Sequence, residues 1–195
     1  MHEEAKGWDK DGYALENLLL LRFFCLFIGS DHSHPLDHPL VARLKPQSHN
    51  GATQPFTLRG CIEYPCKVLT QLKVDIFADL RYDTWVLRCI SNRIANNRRR
   101  GEPAPKGGYV AVVNTLFSFF NHSCEPNTTG LAIRGGCSVC VFALRDIKKG
   151  EELTVTYTES EGDLTLKERE ARLQPWLGGP CRCIKCNAER EGEDA

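Results

Sequence analysis

The chain has 195 residues, a formal net charge of zero, 42% apolar residues and 26% charged ones. That length suits one domain with room for a small appendage, and the balance is ordinary for a soluble globular protein. Zero net charge gives no global pull toward polyanions, so direct sequence-specific nucleic acid binding is not expected.

The first half reads as helical. Residues 2–11 mix acidic with basic side chains and lack the cationic start of a signal peptide. Residues 14–28 favour a helix that is apolar on most faces, as in a helix packed inside a larger body. The apolar run from Leu18 to Ile28 is interrupted by Arg22 and is too short to span a bilayer, so no membrane partner is expected. Asp37 followed by Pro39 predicts a helix start into residues 40–44. His32, His34 and His38 lie among prolines, with Asp31 and Asp37. They suggest a metal cluster, but no cysteine or carboxylate stands at an i,i+4 helical spacing, and a solvated loop is the preferred reading.

Residues 45–55 read as a loop, and helix resumes near Cys66. Asp83 is placed to cap a further helix in which Val86, Ile90 and Ile94 recur every fourth residue, with Trp85 and Cys89 alongside. Arg98 to Gly108 reads as a polar Gly/Pro linker. Its Arg98-Arg99-Arg100 run is read as a solvated loop in preference to a localisation or substrate patch.

After residue 108 the period changes. Residues 109–113, 130–133, 138–144 and 153–158 read as strands, several apolar on both faces. A last helix is expected over residues 166–173, stopped by Gly178-Gly179-Pro180.

Ten cysteines would suit disulfides in a secreted chain, but nothing points to secretion, and metal binding plus buried thiols fit better. Cys181-x-Cys183-x-x-Cys186 puts three thiols in one turn-rich segment, one short of a closed tetrahedral zinc site. Cys137-Ser138-Val139-Cys140 has metal-like spacing too. In a strand, however, residues three apart face opposite ways, so both cysteines are read as core packing. Cys25, Cys61, Cys66 and Cys89 receive the same reading.

Two polar segments remain. Asn121-His122-Ser123-Cys124-Glu125-Pro126-Asn127 follows the apolar run Leu116-Phe117-Ser118-Phe119-Phe120. The turn Lys148-Lys149-Gly150 feeds Glu151-Glu152-Leu153-Thr154-Val155-Thr156-Tyr157, an alternating strand ending on a tyrosine. This ordered pair, with the cysteine motif after it, resembles the signature of the SET-domain protein-lysine methyltransferases, in particular their SET-and-MYND branch. The stretch from Leu18 to Asn97 resembles the helical insertion that splits the SET domain in that branch.

The resemblance implies an α+β fold: a helical, insertion-like region over residues 1–108, the short-stranded β core of the second half of a SET domain over 109–160, and a post-SET segment over 161–195. It implies S-adenosylmethionine as cofactor and a protein substrate with a target lysine, histone or non-histone, in nucleus or cytoplasm. By the same resemblance Tyr157 stands at the methyl-transfer point, and Asn121, His122, Asn96 and Trp176 are candidate cofactor-binding residues. Cys124 would complete a structural zinc site with Cys181, Cys183 and Cys186. The Gly-x-Gly turn that cradles the methionine end of the cofactor in the family does not occur in these 195 residues, nor does a MYND module. A truncated or divergent form of doubtful activity alone is therefore expected; the alternative is a non-catalytic, zinc-stabilised interaction module.

Overall fold

The structure, a computed structural model, describes residues 14–46, 57–103, 109–133, 138–158 and 164–193. Two compact units divide the chain: residues 1–46 with 54–98, and residues 47–53 with 99–195. The first is helical and the second carries the strands, so the expected α+β class is observed.

In the first unit, α1 (Ala14–Ile28) packs against α3 (Tyr64–Gln71) and α4 (Thr84–Asn97), with the short α2 (Pro39–Ala42) beside α4. Phe23, Phe24 and Phe27 of α1 are buried together with Val68 and Leu69 of α3. The fourfold spacing in α4 does what it predicts: Val86, Ile90 and Ile94 are all buried, because residues four apart share one helical face. Trp85 falls on the opposite side and is 55% exposed. Asp83 does occupy the N-cap of α4, yet its carboxylate accepts from the Thr84 hydroxyl at 3.0 Å rather than from a helix amide.

The histidine segment departs from the expected solvated loop. His34 Nδ1 accepts the Leu36 N–H at 3.2 Å, which caps the 3₁₀ turn Pro35–Asp37. His38 Nδ1 accepts the Leu40 N–H at 3.3 Å, which caps α2. The cap of that helix is thus His38, one residue beyond the predicted Asp37. His38 is buried, edge-on to Phe23 at 5.4 Å between ring centroids. An imidazole can cap a helix and fill an aromatic cluster at once, which a carboxylate cannot do without burying charge.

In the second unit, β1 (Arg98–Pro103) lies beside β2 (Tyr109–Val113). The first part of the expected linker is therefore a strand. Ladder bonds satisfy the backbone whatever the side chains, and Pro103 is tolerated because it ends the strand. The pair β4 (Thr128–Ile133) and β5 (Ser138–Ala143) is antiparallel, with Gly130 opposite Val141 and Leu131 opposite Cys140. Any side chain at residue 130 would meet the Phe117 ring, since a Cβ there would stand 2.5 Å from it. Arg99 stacks over that ring at 4.5 Å, a cation–π contact that holds it in place.

β5 is less enclosed than its apolar sequence suggests: Val141 and Phe142 are exposed. Cys140 is only partly buried and Cys25 is exposed, against the core-packing expectation, while Cys66 and Cys89 are partly buried. Cys137 and the side chain of Cys61 lie outside the described residues. Two helices close the unit. α5 (Leu166–Leu177) runs four residues beyond the expected Leu173, through Pro175. Gly178 then ends it with φ of +70°, the left-handed conformation that a C-terminal glycine accepts without strain. α6 (Ile184–Glu193) lies outside the sequence expectation, because Ile184, Cys186 and Ala188 are the only apolar side chains among its ten residues.

Candidate active site and metal centre

The two polar segments meet in one short parallel pair. β3 (Asn121–His122) lies against β6 (Thr154–Val155), with Asn121 opposite Thr154 and His122 opposite Val155. The turn before β6 is set by Gly150 at φ of +88°, and the Glu151 N–H bonds back to the Lys148 carbonyl at 3.0 Å. Only glycine takes that backbone conformation cheaply.

Asn127 clasps the two segments together. Its side-chain N–H groups donate to Glu151 Oε1 at 2.9 Å and to the Glu152 carbonyl at 2.8 Å, while Oδ1 accepts the Thr154 N–H at 2.9 Å. Asn127 is buried, so its polar atoms had to find protein partners. Thr128 adds a bond from its hydroxyl to the Thr154 carbonyl at 2.7 Å. Glu151 is further held by the Arg145 guanidinium and by the Lys148 N–H at 3.1 Å. Hydrogen bonds from Arg145, then Asn127, then the Lys148 backbone bring its carboxyl down to about 2.

Tyr157 lies beside this clasp. Its hydroxyl donates to the Phe120 carbonyl at 2.8 Å, and its N–H donates to His122 Nδ1 at 3.2 Å. Burial, followed by the nearby Glu152, pushes the phenol pKa up, so the hydroxyl stays neutral and able to donate. His122 Nδ1 is therefore the acceptor nitrogen, which assigns the ring proton to Nε2. That nitrogen sits 3.3 Å from Cys124 Sγ. The Asn121 side chain is exposed and donates to Glu152 Oε1 at 2.6 Å.

Cys124, Cys181, Cys183 and Cys186 converge, with all four sulfurs within 4.8 Å of one another. A tetrahedral zinc bound by thiolates at about 2.3 Å places its sulfurs about 3.8 Å apart. With no two sulfurs more than 4.8 Å apart and those of Cys124 and Cys186 at 3.5 Å, the cluster spans that separation, so these residues fit the metal. Cys181 and Cys186 are buried with Leu166 and Leu173, and Tyr157 packs against the same cluster. Burial, with the Cys183 and Cys186 thiols, pushes Cys181 up to about 12 against the lowering effect of the Cys183 N–H. Burial also acts against ionisation of Cys183, but backbone N–H groups of Cys186 and Cys124 outweigh it and bring that thiol to about 7. Cys124 is raised by burial and by its bond to Cys186. Thiols this close resist joint ionisation until a divalent cation sits among them and reverses the sign.

Two contributors escaped sequence reading. Arg169 is 2% exposed and binds the Leu164 carbonyl at 2.6 Å, Cys186 Sγ at 3.7 Å and the Glu189 carboxylate. Its signal was a lone arginine on the Leu166–Leu173 apolar stripe of α5. Thr165 and Glu168 form a reciprocal capping box that starts this helix, legible in the Thr-x-x-Glu spacing.

The structure thus gathers Asn121, His122, Tyr157 and the four expected cysteines. Trp176 sits partly buried in the last turn of α5. Asn96 belongs to the helical unit, where it donates to the Lys45 carbonyl at 3.1 Å beside Asn97.

A family model described as the SET domain matches residues 21–158. The chain belongs to the SET-domain family. Among its relatives are SET and MYND domain-containing proteins and histone-lysine N-methyltransferases. A SET and MYND domain-containing protein of Dictyostelium discoideum is 34% identical over 102 residues, covering 52% of this chain and 19% of that protein. The histone-lysine N-methyltransferase SET5 of Meyerozyma guilliermondii is 45% identical over 75 residues, covering 37% and 15% respectively. The histone-lysine N-methyltransferase SMYD3 of Mus musculus is 34% identical over 77 residues, covering 40% and 17%. The matched stretch is less than a fifth of the length of each of these relatives.

Proposed function

We propose that these residues form the second half of the split SET domain of a protein-lysine N-methyltransferase, steadied by a structural zinc on Cys124, Cys181, Cys183 and Cys186. The observation that carries this reading is the clasp that brings the Asn121 and Tyr157 segments together beside four converging sulfurs. S-adenosylmethionine, when bound, supplies the electrophilic methyl group; the acceptor is the lysine amine of a protein, histone or non-histone, in nucleus or cytoplasm. Among the described residues no helix is long and apolar enough to cross a membrane.

Tyr157 is the residue assigned to the transfer point. Its hydroxyl and the Phe120 carbonyl set two oxygens side by side where an incoming amine can be oriented. A desolvated setting also favours the neutral, nucleophilic amine over the ammonium form. Asn121 and His122 are assigned to the cofactor, with Asn96 and Trp176 as further contacts.

Both ring nitrogens of His122 bond within the protein and the Asn121 amide holds Glu152. His122 would have to give up a ring bond, and Asn121 its bond to Glu152, to meet the cofactor with a side chain. For these 195 residues alone we expect weak S-adenosylmethionine binding and little methyl transfer. The same observation favours the second reading, a non-catalytic module that keeps the fold and its zinc.

Calorimetric titration with the cofactor, beside a radiolabelled methyl-transfer assay on mixed histones, separates the readings. Micromolar binding with turnover that vanishes in Tyr157→Phe makes the chain a complete enzyme. Bound zinc with neither binding nor turnover leaves the interaction module. For the metal, Cys124→Ser should abolish the zinc stoichiometry, and an unchanged value removes Cys124 from the ligand set.

A further inference from the structure

We propose that His122 is a positioning residue that transmits occupancy of the four-sulfur site to the backbone of Tyr157. The inference rests on the metal reading above, but concerns a link that the reading does not contain. The His122 side chain is bonded on one edge to a candidate metal ligand and on the other to the candidate transfer residue: Nε2 stands 3.3 Å from Cys124 Sγ, and Nδ1 accepts the Tyr157 N–H at 3.2 Å. The imidazole is a rigid plane, so a displacement at one nitrogen is carried to the other.

The surroundings leave the ring little freedom. Its centroid lies 5.2 Å from that of Tyr157, and its backbone is paired with Val155 in the β3–β6 ladder. The Ser123 N–H, next in the chain, donates to the Val155 carbonyl at 3.0 Å. Tyr157 is fixed at its far end by the bond from its hydroxyl to Phe120. With both ends of that residue tied to the segment 120–122, the His122 ring decides where its N–H lies.

The polarity of the link follows from the chemistry of sulfur on a metal. A metal-bound thiolate has lone pairs to accept a hydrogen bond and no proton to give, so it requires an N–H facing it. His122 meets that need only with its proton on Nε2, which leaves Nδ1 as the acceptor for Tyr157. A free Cys124 thiol imposes no such choice, since it can donate as well as accept. Metal at the site therefore reinforces, from the Cys124 edge, the tautomer that the Tyr157 N–H already selects at Nδ1.

The test uses the full chain with two substitutions that split the link. Asn reproduces the near edge of imidazole and keeps an acceptor for the Tyr157 N–H while losing reach to Cys124. Gln reproduces the far edge and keeps a donor for Cys124 while losing the acceptor. Zinc affinity is read by competition with a chelator, and the Tyr157 amide by nitrogen-15 NMR of tyrosine-labelled protein, assigned with Tyr157→Phe.

We expect His122→Asn to weaken zinc by about tenfold or more, the usual effect of losing an outer-sphere hydrogen bond, with the Tyr157 amide signal near its original place. His122→Gln should hold zinc within about threefold of the original affinity while the Tyr157 amide shifts and exchanges faster. In the unsubstituted protein, histidine-labelled spectra should show the proton on Nε2 with zinc bound, and stripping the zinc should move the His122 and Tyr157 signals together. Bound zinc with an unmoved Tyr157 amide on metal removal, or with the ring proton on Nδ1, overturns this inference and leaves the metal reading intact. Absence of bound zinc, read directly by metal analysis, overturns both. These measurements need no turnover, so a variant that fails to fold still leaves the zinc-loaded and zinc-stripped spectra to decide.

Discussion

Asn127 and Thr154 bond in both directions: the Thr154 N–H donates to Asn127 Oδ1 at 2.9 Å, and the Asn127 N–H donates to Thr154 Oγ1 at 3.3 Å. These residues are 27 apart in sequence, so the pair closes the loop carrying β4 and β5 and fixes the register of β3 against β6. Everything assigned to the candidate site depends on that register.

Replacing Asn127 with Ala strands the Thr154 N–H and the Glu152 carbonyl, both previously satisfied by one buried side chain. An unpaired buried polar group costs about 1–3 kcal/mol; Thr154 is partly buried and Glu152 exposed, so a total destabilisation of about 2 kcal/mol is expected. The denaturant midpoint measures it. A loss below about 1 kcal/mol would mean that solvent replaces the clasp.

Glu151 makes the acid side of the stability curve testable. Its carboxyl lies at about 2, against an ordinary 4.5, because Arg145, Asn127 and the Lys148 N–H bond to the ionised form. A depressed folded-state value means the contribution is fully present above pH 4.5 and is lost as pH falls toward 2. Glu151→Gln should therefore be less stable than the unsubstituted chain at neutral pH, with the gap closing on acidification. Thermal midpoints across that range check it; a gap independent of pH contradicts it.

His38 acts nearer neutrality and with the same sign, since its folded-state value is also lowered. Burial, followed by the neighbouring His32, lowers it from the ordinary 6.5, and His32 sits 4.9 Å away ring to ring. The folded chain thus keeps His38 neutral where the unfolded chain has taken up a proton. Stability is complete above pH 6.5 and declines below it. Asn caps helices well and does not titrate, so His38→Asn should flatten the decline between neutral and mildly acidic pH. An unchanged slope would assign the decline to other groups.

Arg169 brings a buried cation to the sulfur cluster through Cys186. Four thiolates on one divalent cation leave a net negative charge, which a buried guanidinium offsets. Arg169→Met keeps the bulk and removes the charge. A fall of roughly tenfold to a hundredfold in zinc affinity is expected from loss of an outer-sphere partner. Chelator competition measures it, and wild-type affinity in a folded variant would reduce Arg169 to a partner of Glu189.

How much of this was legible in the sequence depends on the range of the interaction. Local periodicity placed Val86, Ile90 and Ile94 on one buried face and ended α5 at Gly178, because helical geometry and backbone freedom act over a few residues. The motif spacing pointed to Cys124, Cys181, Cys183 and Cys186, and to Tyr157 beside Asn121, through resemblance to a family.

Tertiary contact decided the rest. Arg98–Pro103 is a strand because β2 lies beside it, although its composition says linker. His38 became a buried cap because Phe23 and Phe27 stand over it. Arg169 turned inward because Glu189 and Cys186 arrive from a helix that sequence did not announce. The sequence by itself determined which residues could bear the chemistry. Only the fold determined that the His122 ring bonds Cys124 on one edge and Tyr157 on the other, since hydrogen bonds between distant segments leave no periodic trace along the chain.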